Sequence, residues 1–347
     1  MAIVAGKPDE SEMIYRIHSD DEEELMPPPE IGKPLSQREK EMLEQWIKEG
    51  AIWADHWAYV DPVKHSQPQV IDSNWPTHWI DRFTLADIKK NQLKPAPDAD
   101  PITLVRRLHF DLTGLPPTPQ EVTNFATNPS PRAYASLIDD LLASPHFGER
   151  MTAYWLDLVR YADTVGYHGD QPHNISPYRD WVINAFNQNM PFDQFTREQL
   201  AGDLLPGSTT QQKVASGYNR LLQTTHEGGL QIKEYDAIYA ADRVRNVSEV
   251  WMGATVGCAQ CHDHKYDPYT IKDNYALAAF FADIGDRGFD GNSLPTKRPP
   301  EIIIHNPENL ARIQQLQKEM NALLPPANQK KFQEFQDRKN RLTSTLK

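Results

Sequence analysis

The only two cysteines of the chain lie three residues apart and are followed directly by a histidine, in the string Cys258-Ala-Gln-Cys261-His262. Two thiols and an imidazole at this spacing are the attachment signature of a c-type haem. In that chemistry the thiols bond to the two vinyl groups of the porphyrin, and the histidine becomes the proximal ligand of the iron. The motif therefore predicts one covalent haem c, held by Cys258 and Cys261, with His262 on the iron.

Two other chemistries use cysteine and histidine at short spacing. A redox-active dithiol normally follows a strand in a βαβ unit, and the residues around this motif do not show that pattern. A zinc site needs four ligands, and His264 could supply one only within a cramped loop. Haem is therefore the favoured interpretation, and a zinc-binding structural scaffold is kept as an alternative.

Charged residues crowd the segment that follows the motif. We expect them to lie at one edge of the haem, where such groups orient an imidazole or contact a propionate. A solvated loop is the alternative interpretation. The residues are Asp263, His264, Lys265 and Asp267.

The sequence offers several candidates for the sixth ligand of the iron. Met252 lies six residues before Cys258, and His226 and His168 lie further upstream. Thioethers and imidazoles are common axial ligands, although a single Met or His is more often a packing or surface residue. If none of the three coordinates, the iron is five-coordinate and free to bind a small molecule.

A second group of polar residues surrounds a loop that contains Gly166 and Gly169. Its members, with His168, could hold a cation such as calcium or present an acid/base pair to a substrate. The alternative is that these carboxylates cap helices and pair with arginines to stabilise the loop. They are Asp163, Asp170 and Asp180.

Composition narrows the class of protein. The chain has 347 residues, 24% of them charged and 39% hydrophobic, which is typical of a globular protein. A net charge of −12 disfavours nucleic acid as a partner. No apolar run approaches the length of a membrane span. Residues 1–8 lack the pattern of a signal peptide, yet c-type haem is attached outside the cytoplasm, so we expect a periplasmic or other extracytoplasmic location for the full-length family.

Helix signals dominate the rest of the sequence. Ser36 with Glu39 and Thr118 with Glu121 form capping boxes, which start helices. The best strand candidate is 301–305. The pattern predicts a mainly α fold, a helical cytochrome-like domain with long proline-rich loops, followed by a helical hairpin or coiled-coil arm. Helices are expected at 80–90, 102–112, 134–143, 149–163, 178–187, 192–205, 233–251 and 272–284.

Several long strings resemble the large multidomain cytochrome c proteins of planctomycetes. The segments 106–119, 144–150, 155–163 and 258–268 are similar to a domain of unknown function that carries its own C-x-x-C-H motif in those proteins. Residues 11–17, 26–29 and 43–51 resemble the second half of the cytochrome c-like domain that precedes it. That likeness implies that Met26 is the distal ligand of a haem whose attachment half is missing upstream.

The resemblance and the composition together divide the chain into five parts. Residues 1–58 would be the C-terminal half of a cytochrome c-like domain, 59–76 a linker and 77–285 the C-x-x-C-H haem domain. A second linker would cover 286–306, and a truncated helical hairpin or coiled coil would cover 307–347.

Electron transfer is the function that these observations favour, so we expect an electron carrier rather than a catalyst. Its partner would be a redox protein or an appended domain of the full-length protein. One alternative is a haem-dependent oxidoreductase acting on an extracellular substrate such as polysaccharide, with Glu227 among the residues lining its pocket. The zinc-binding scaffold is the other.

Overall fold

The computed structural model describes residues 1–53, 56–70, 75–167, 170–225, 229, 231–285, 301–304 and 307–345. Over these residues the chain forms fourteen α-helices and no β-strand, which confirms the mainly α prediction. The chain divides into two compact units, Met1–Pro97 and Asp98–Lys347. The predicted linkers and domain bounds stay predictions.

The first unit contains three helices, α1 (Glu12–His18), α2 (Gln37–Lys48) and α3 (Trp79–Lys90). The predicted capping box opens α2: the Ser36 hydroxyl accepts from the amide of Glu39, and the Glu39 carboxylate accepts from the amide of Ser36. Each bond satisfies an amide that has no partner within the helix. Helices α1 and α2 contact each other and bury Ile17 and Ile47.

The second unit begins with four helices that start in the same way. A side chain of Asp, Thr or Ser accepts a hydrogen bond from the first turn, and a proline occupies the first helical position, where no amide hydrogen is needed. These helices are α4 (Pro101–Leu112), α5 (Pro119–Thr127), α6 (Pro131–Leu142) and α7 (Pro145–Leu158).

The remaining helices of this unit include those that form its hydrophobic core and the two at the position of the predicted hairpin or coiled-coil arm. They are α8 (Ser176–Asn187), α9 (Phe192–Ala201), α10 (Thr210–Ala215), α11 (Ile232–Val247), α12 (Ile271–Ala279), α13 (Pro307–Leu323) and α14 (Pro326–Thr345). The sequence pattern missed α10, which is only six residues long. It also placed the end of α7 too late, and the strand predicted at 301–305 is wrong over 301–304.

Aromatic side chains form the main core, which lies among α7, α8 and α9. The Trp155 ring meets Phe195 edge-on at 4.8 Å between centroids, and Phe195 stacks on Trp181 at 5.4 Å. The indole N–H of Trp155 donates to the Tyr178 hydroxyl at 3.1 Å and to Gln199 Oε1 at 3.0 Å. Burial raises the pKa of Tyr178 well above its ordinary value. Several elements that follow α9 in the chain pack against this core.

Gly148 lets α7 and α8 approach closely. Its amide donates to Asn187 Oδ1 at 2.8 Å, and a Cβ there would overlap the carbonyl oxygen of Ile183 and lie 2.6 Å from the Asn187 side chain. We expect Gly148→Ala to lower the free energy of unfolding by about 1–3 kcal/mol, despite the better helix propensity of Ala. Chemical denaturation monitored by circular dichroism measures this loss.

Gly217→Ala is the matched control for that substitution. Its added Cβ would lie 3.3 Å from the flexible end of Ile175 and in ordinary van der Waals contact with Tyr178, at 3.6 Å. A loss for Gly217→Ala equal to that for Gly148→Ala would contradict the close helix contact as the cause.

In the described part of the chain, no helix is both long enough and apolar enough to cross a membrane.

Candidate functional site

The C-x-x-C-H motif lies on a short 3₁₀ turn, Val256–Gln260, which ends at Cys261. A 3₁₀ helix has three residues per turn, so positions three apart lie on the same face. Val256 and Ala259 lie on the buried face, with 2% and 0% of their surface exposed, whereas Cys258 and Cys261 are both exposed free thiols. The two cysteines therefore lie on the same exposed face, one 3₁₀ turn apart, which corresponds to a backbone rise of roughly 6 Å.

A small hydrophobic cluster holds the turn against its neighbours. Val244 of α11 packs with Ala254 and Val256, and Leu277 of α12 packs on them. Gly257 lies directly beneath Arg245, where an added Cβ would overlap the Arg245 side chain. The motif is therefore positioned by α11 and α12.

The imidazole of His262 is exposed, and one of its two ring nitrogens has a hydrogen-bond partner. Nδ1 lies 2.7 Å from the carbonyl oxygen of Asp263. Because a carbonyl oxygen only accepts hydrogen bonds, Nδ1 carries the proton in the neutral ring and Nε2 carries the lone pair. This tautomer is the one that binds a metal through Nε2.

Both ring nitrogens of His264, two residues further on, form hydrogen bonds with other groups of the protein. Its Nδ1 accepts from the amides of Tyr266 at 3.2 Å and Asp267 at 2.8 Å. Its Nε2 then bears the proton and donates to Thr255 Oγ1 at 3.0 Å, with the Asp267 carboxylate 3.5 Å away. His264 thus closes the loop after the motif and has no nitrogen left for a metal.

The carboxylate of Asp263 ties the motif to α12. Asp263 Oδ1 accepts from the amide of Ile271 at 2.8 Å, at the start of that helix. Lys265 lies over the ring of Tyr266, with its Nζ 5.3 Å from the ring centroid. Most of the charged residues after the motif therefore contact other parts of their own loop or the start of α12. The Asp263 carbonyl, rather than its carboxylate, orients His262.

Exposed apolar side chains come from the segments on both sides of the motif. Met252 is 51% exposed, Tyr266 82%, Tyr275 58% and Phe280 84%. Tyr275 is attached to the motif itself, since its hydroxyl donates to the Gln260 carbonyl at 3.3 Å. Large apolar groups at the surface often mark a binding site. Two free thiols, an imidazole with Nε2 unprotonated and this apolar surface fit the attachment of a haem.

The predicted distal ligands are placed as follows. Met252 ends a π-helical turn, Ser248–Met252, which packs against the 3₁₀ turn of the motif. Such turns are frequent at functional sites. His168, His226 and Glu227 lie outside the described residues. In the first unit, Met26 is half-exposed, and its amide donates to the Arg16 carbonyl at 3.1 Å.

The three aspartates of the glycine-containing loop have separate local partners. Asp163 Oδ1 accepts from the Tyr161 hydroxyl at 2.8 Å, and burial together with this bond raises the pKa of Tyr161 to about 12. Asp170 Oδ1 accepts from the Gly166 amide at 2.8 Å, and Asp180 pairs with Arg179 at 3.1 Å. Hydrogen bonds from Thr164 and Gly166 lower the pKa of Asp170.

Among the residues that the structure describes, no three or more His, Cys, Asp or Glu side chains are grouped so that they could hold a metal ion. Asp163, Asp170 and Asp180 do not form such a group by themselves, and His168 lies outside the described residues, so the calcium site stays a prediction. The same finding gives the zinc alternative no ligand set at Cys258, Cys261, His262 and His264. Haem attachment does not need such a group, because the thiols bond to carbon and only one nitrogen reaches the iron.

Several residues that shape this site carry no signal in the sequence. Thr255 contacts His264 from nine positions away, and Tyr275 reaches Gln260 from fifteen. Arg245 covers Gly257 from a different helix. The packing of α11 and α12 brings Arg245 and Tyr275 to the motif, whereas Thr255 directly precedes the 3₁₀ turn.

The described residues form a mainly α fold that carries an exposed C-x-x-C-H motif. The chain belongs to the PSCyt2 family, described as a protein of unknown function (DUF1549), whose model matches residues 79–286. Residues 1–30 match the model of a second family, PSCyt1, described as Planctomycete cytochrome C. These matches confirm the resemblance to planctomycete-type cytochrome c proteins. No curated protein and no solved structure matches the chain.

Proposed function

We propose that this protein is a mono-haem c-type cytochrome that transfers electrons, with haem c attached to Cys258 and Cys261 and ligated by His262. The observation that carries the proposal is the geometry of the motif. Two free thiols share one exposed face of a 3₁₀ turn, and the next residue is a histidine whose Nδ1 is bound to a backbone carbonyl.

The thiols provide the covalent attachment. Each thiol adds across one vinyl group: its sulfur bonds to one vinyl carbon and its hydrogen goes to the other, so that no oxidant is consumed. Since Cys258 and Cys261 are exposed, they are accessible to the porphyrin and to the machinery that attaches it. When bound, haem c supplies an iron centre that accepts and releases one electron.

His262 provides the axial nitrogen, and Asp263 sets its orientation. The bond from Nδ1 to the Asp263 carbonyl fixes the ring plane and the tautomer, which leaves Nε2 as the nitrogen that would ligate the iron. Asp263 is held in turn by its carboxylate, which accepts from the Ile271 amide. The proximal ligand is therefore oriented by the start of α12.

Exposure of the site favours electron transfer with a separate partner. A redox protein, or an appended domain of the full-length protein, could approach the haem edge without a conformational change in the turn. The attachment chemistry belongs to extracytoplasmic compartments, and we propose a periplasmic or similar location for the full-length protein. Met252, on the adjacent π-helical turn, is the distal-ligand candidate within the described residues.

A haem stain after denaturing electrophoresis tests the attachment. The chain would carry a secretion signal and be co-expressed with c-type maturation machinery. We expect covalent haem in the unmodified chain and none in the double variant Cys258→Ser/Cys261→Ser. Gln260→Ser changes a residue between the two cysteines and leaves both thiols, so it should retain the haem.

Two further results of that experiment bear on the proposal. A reduced absorption spectrum of six-coordinate iron would support an electron carrier, whereas a five-coordinate spectrum that responds to carbon monoxide would favour the haem-dependent oxidoreductase. If the unmodified chain carries no haem but binds one zinc ion, the cytochrome proposal is rejected and the zinc-binding structural scaffold remains.

A further inference from the structure

A cavity of about 500 Å³ lies in the second unit, among α4, α5, α6 and the first turn of α7. Its size is within the range of small-molecule sites. It brings together two segments that are distant in the sequence, 106–119 and 144–150, and none of its lining residues belongs to the C-x-x-C-H motif. The proposed haem function does not use this cavity.

A buried histidine of the cavity wall has an unsatisfied ring nitrogen. His109 of α4 is 5% exposed, and its Nε2 is buried with no hydrogen-bond partner among the described residues. A buried polar atom without a partner costs free energy, unlike the same atom bound to water or to a ligand. The nitrogen is therefore available to a donor or acceptor that enters beside it.

The charge of the cavity wall is negative. Glu121 and Asp140 line it, and no lysine or arginine is among the described lining residues. The Thr118 amide and hydroxyl bind the Glu121 carboxylate and hold its pKa below the ordinary value, with a smaller contribution from the nearby His109. Glu121 is therefore ionised at neutral pH. Asp140 makes no hydrogen bond or ion pair to any described residue.

Apolar side chains line part of the wall, next to the polar residues Thr113, Asn124, Ser136, Ser144 and His146. Phe125 of α5 and Leu137 of α6 both contribute to the cavity. A ligand that fits these walls has a short hydrocarbon skeleton and a positively charged end, because the Glu121 and Asp140 carboxylates would repel an anion. A bare metal ion is disfavoured, since no group of three suitable ligands forms among the described residues.

We propose that this cavity binds a small organic cation, with Glu121 and Asp140 as its counter-charges and Phe125 and Leu137 against its hydrocarbon skeleton. The buried nitrogen of His109 adds a hydrogen-bonding position on the same wall. The proposal is independent of haem attachment, because the cavity and the motif share no residue.

Isothermal titration of the full chain with three four-carbon probes tests this inference. The probes are putrescine, which is a diamine, succinate, which is a dianion, and butanediol, which is neutral. We expect putrescine to bind more tightly than the other two. Binding of succinate or butanediol at least as tightly as putrescine, or no binding of putrescine, would overturn the proposal.

A matched pair of variants separates the cavity from the general charge of the surface. Asp140→Asn removes a cavity carboxylate, and Asp139→Asn makes the same change at the neighbouring exposed residue of α6, which does not line the cavity. We expect Asp140→Asn to weaken putrescine binding by about threefold to tenfold and Asp139→Asn by less than about twofold. Equal losses in the two variants would reject the site. Circular dichroism checks that both variants are folded.

Discussion

A His262→Ala variant is expected to keep its haem covalently attached but to lose the proximal ligand of the iron. Cys258 and Cys261 would still form both thioether bonds, since neither thiol depends on the imidazole. The iron would lose the Nε2 that the Asp263 carbonyl holds in its metal-binding tautomer. We therefore expect a large change in the reduced absorption spectrum, measured per mole of attached haem.

His65→Ala is the control for that experiment. His65 is exposed, outside regular structure and in the first unit. Its removal should leave the spectrum of the attached haem unchanged. A normal spectrum in His262→Ala would mean that another residue ligates the iron, and the proposed axial role of His262 would then be wrong.

The largest loss of stability is expected for Gln199→Ala. Gln199 is fully buried, and its side-chain oxygen accepts hydrogen bonds from Trp155 and from the Tyr178 hydroxyl. Truncation to alanine removes the shared acceptor and leaves a cavity in the aromatic core. We expect the free energy of unfolding to fall by about 3–5 kcal/mol, as measured by chemical denaturation.

Two further variants identify the cause of that loss. Gln199→Met keeps most of the volume and removes only the acceptor, so it should lose about 1–3 kcal/mol. Gln194→Ala makes the same truncation at an exposed position of α9, and it should change stability by less than about 1 kcal/mol. A loss for Gln194→Ala as large as that for Gln199→Ala would contradict the role of the buried hydrogen bonds.

The helical class was readable from the sequence because its signals are local. The capping boxes at Ser36 and Thr118 need only residues three positions apart, and both are formed in the structure. The helix ends were less predictable. Arg160, with φ of +62°, lies beyond the end of α7, inside the segment that was predicted to be helical. The short α10 starts with a capping box formed by Thr209 and Gln212, a local signal in the sequence that did not lead to a prediction of this helix.

The residues of the candidate site could be named from the sequence, but the contacts that position them could not. Spacing alone identified Cys258, Cys261 and His262 as a group. It did not reveal the bond from His262 to the Asp263 carbonyl, because a backbone acceptor leaves no trace in residue type. It also did not reveal the local partners of the aspartates: Asp163 accepts from the Tyr161 hydroxyl and Asp170 from the Gly166 amide, each within a few residues.

The two faces of the 3₁₀ turn have a consequence for how the protein is made. Val256 and Ala259 complete the core from one side, while the thiols project from the other. The proposed attachment of haem c would therefore leave the buried face of the turn unchanged, because its bonds would form on the other face.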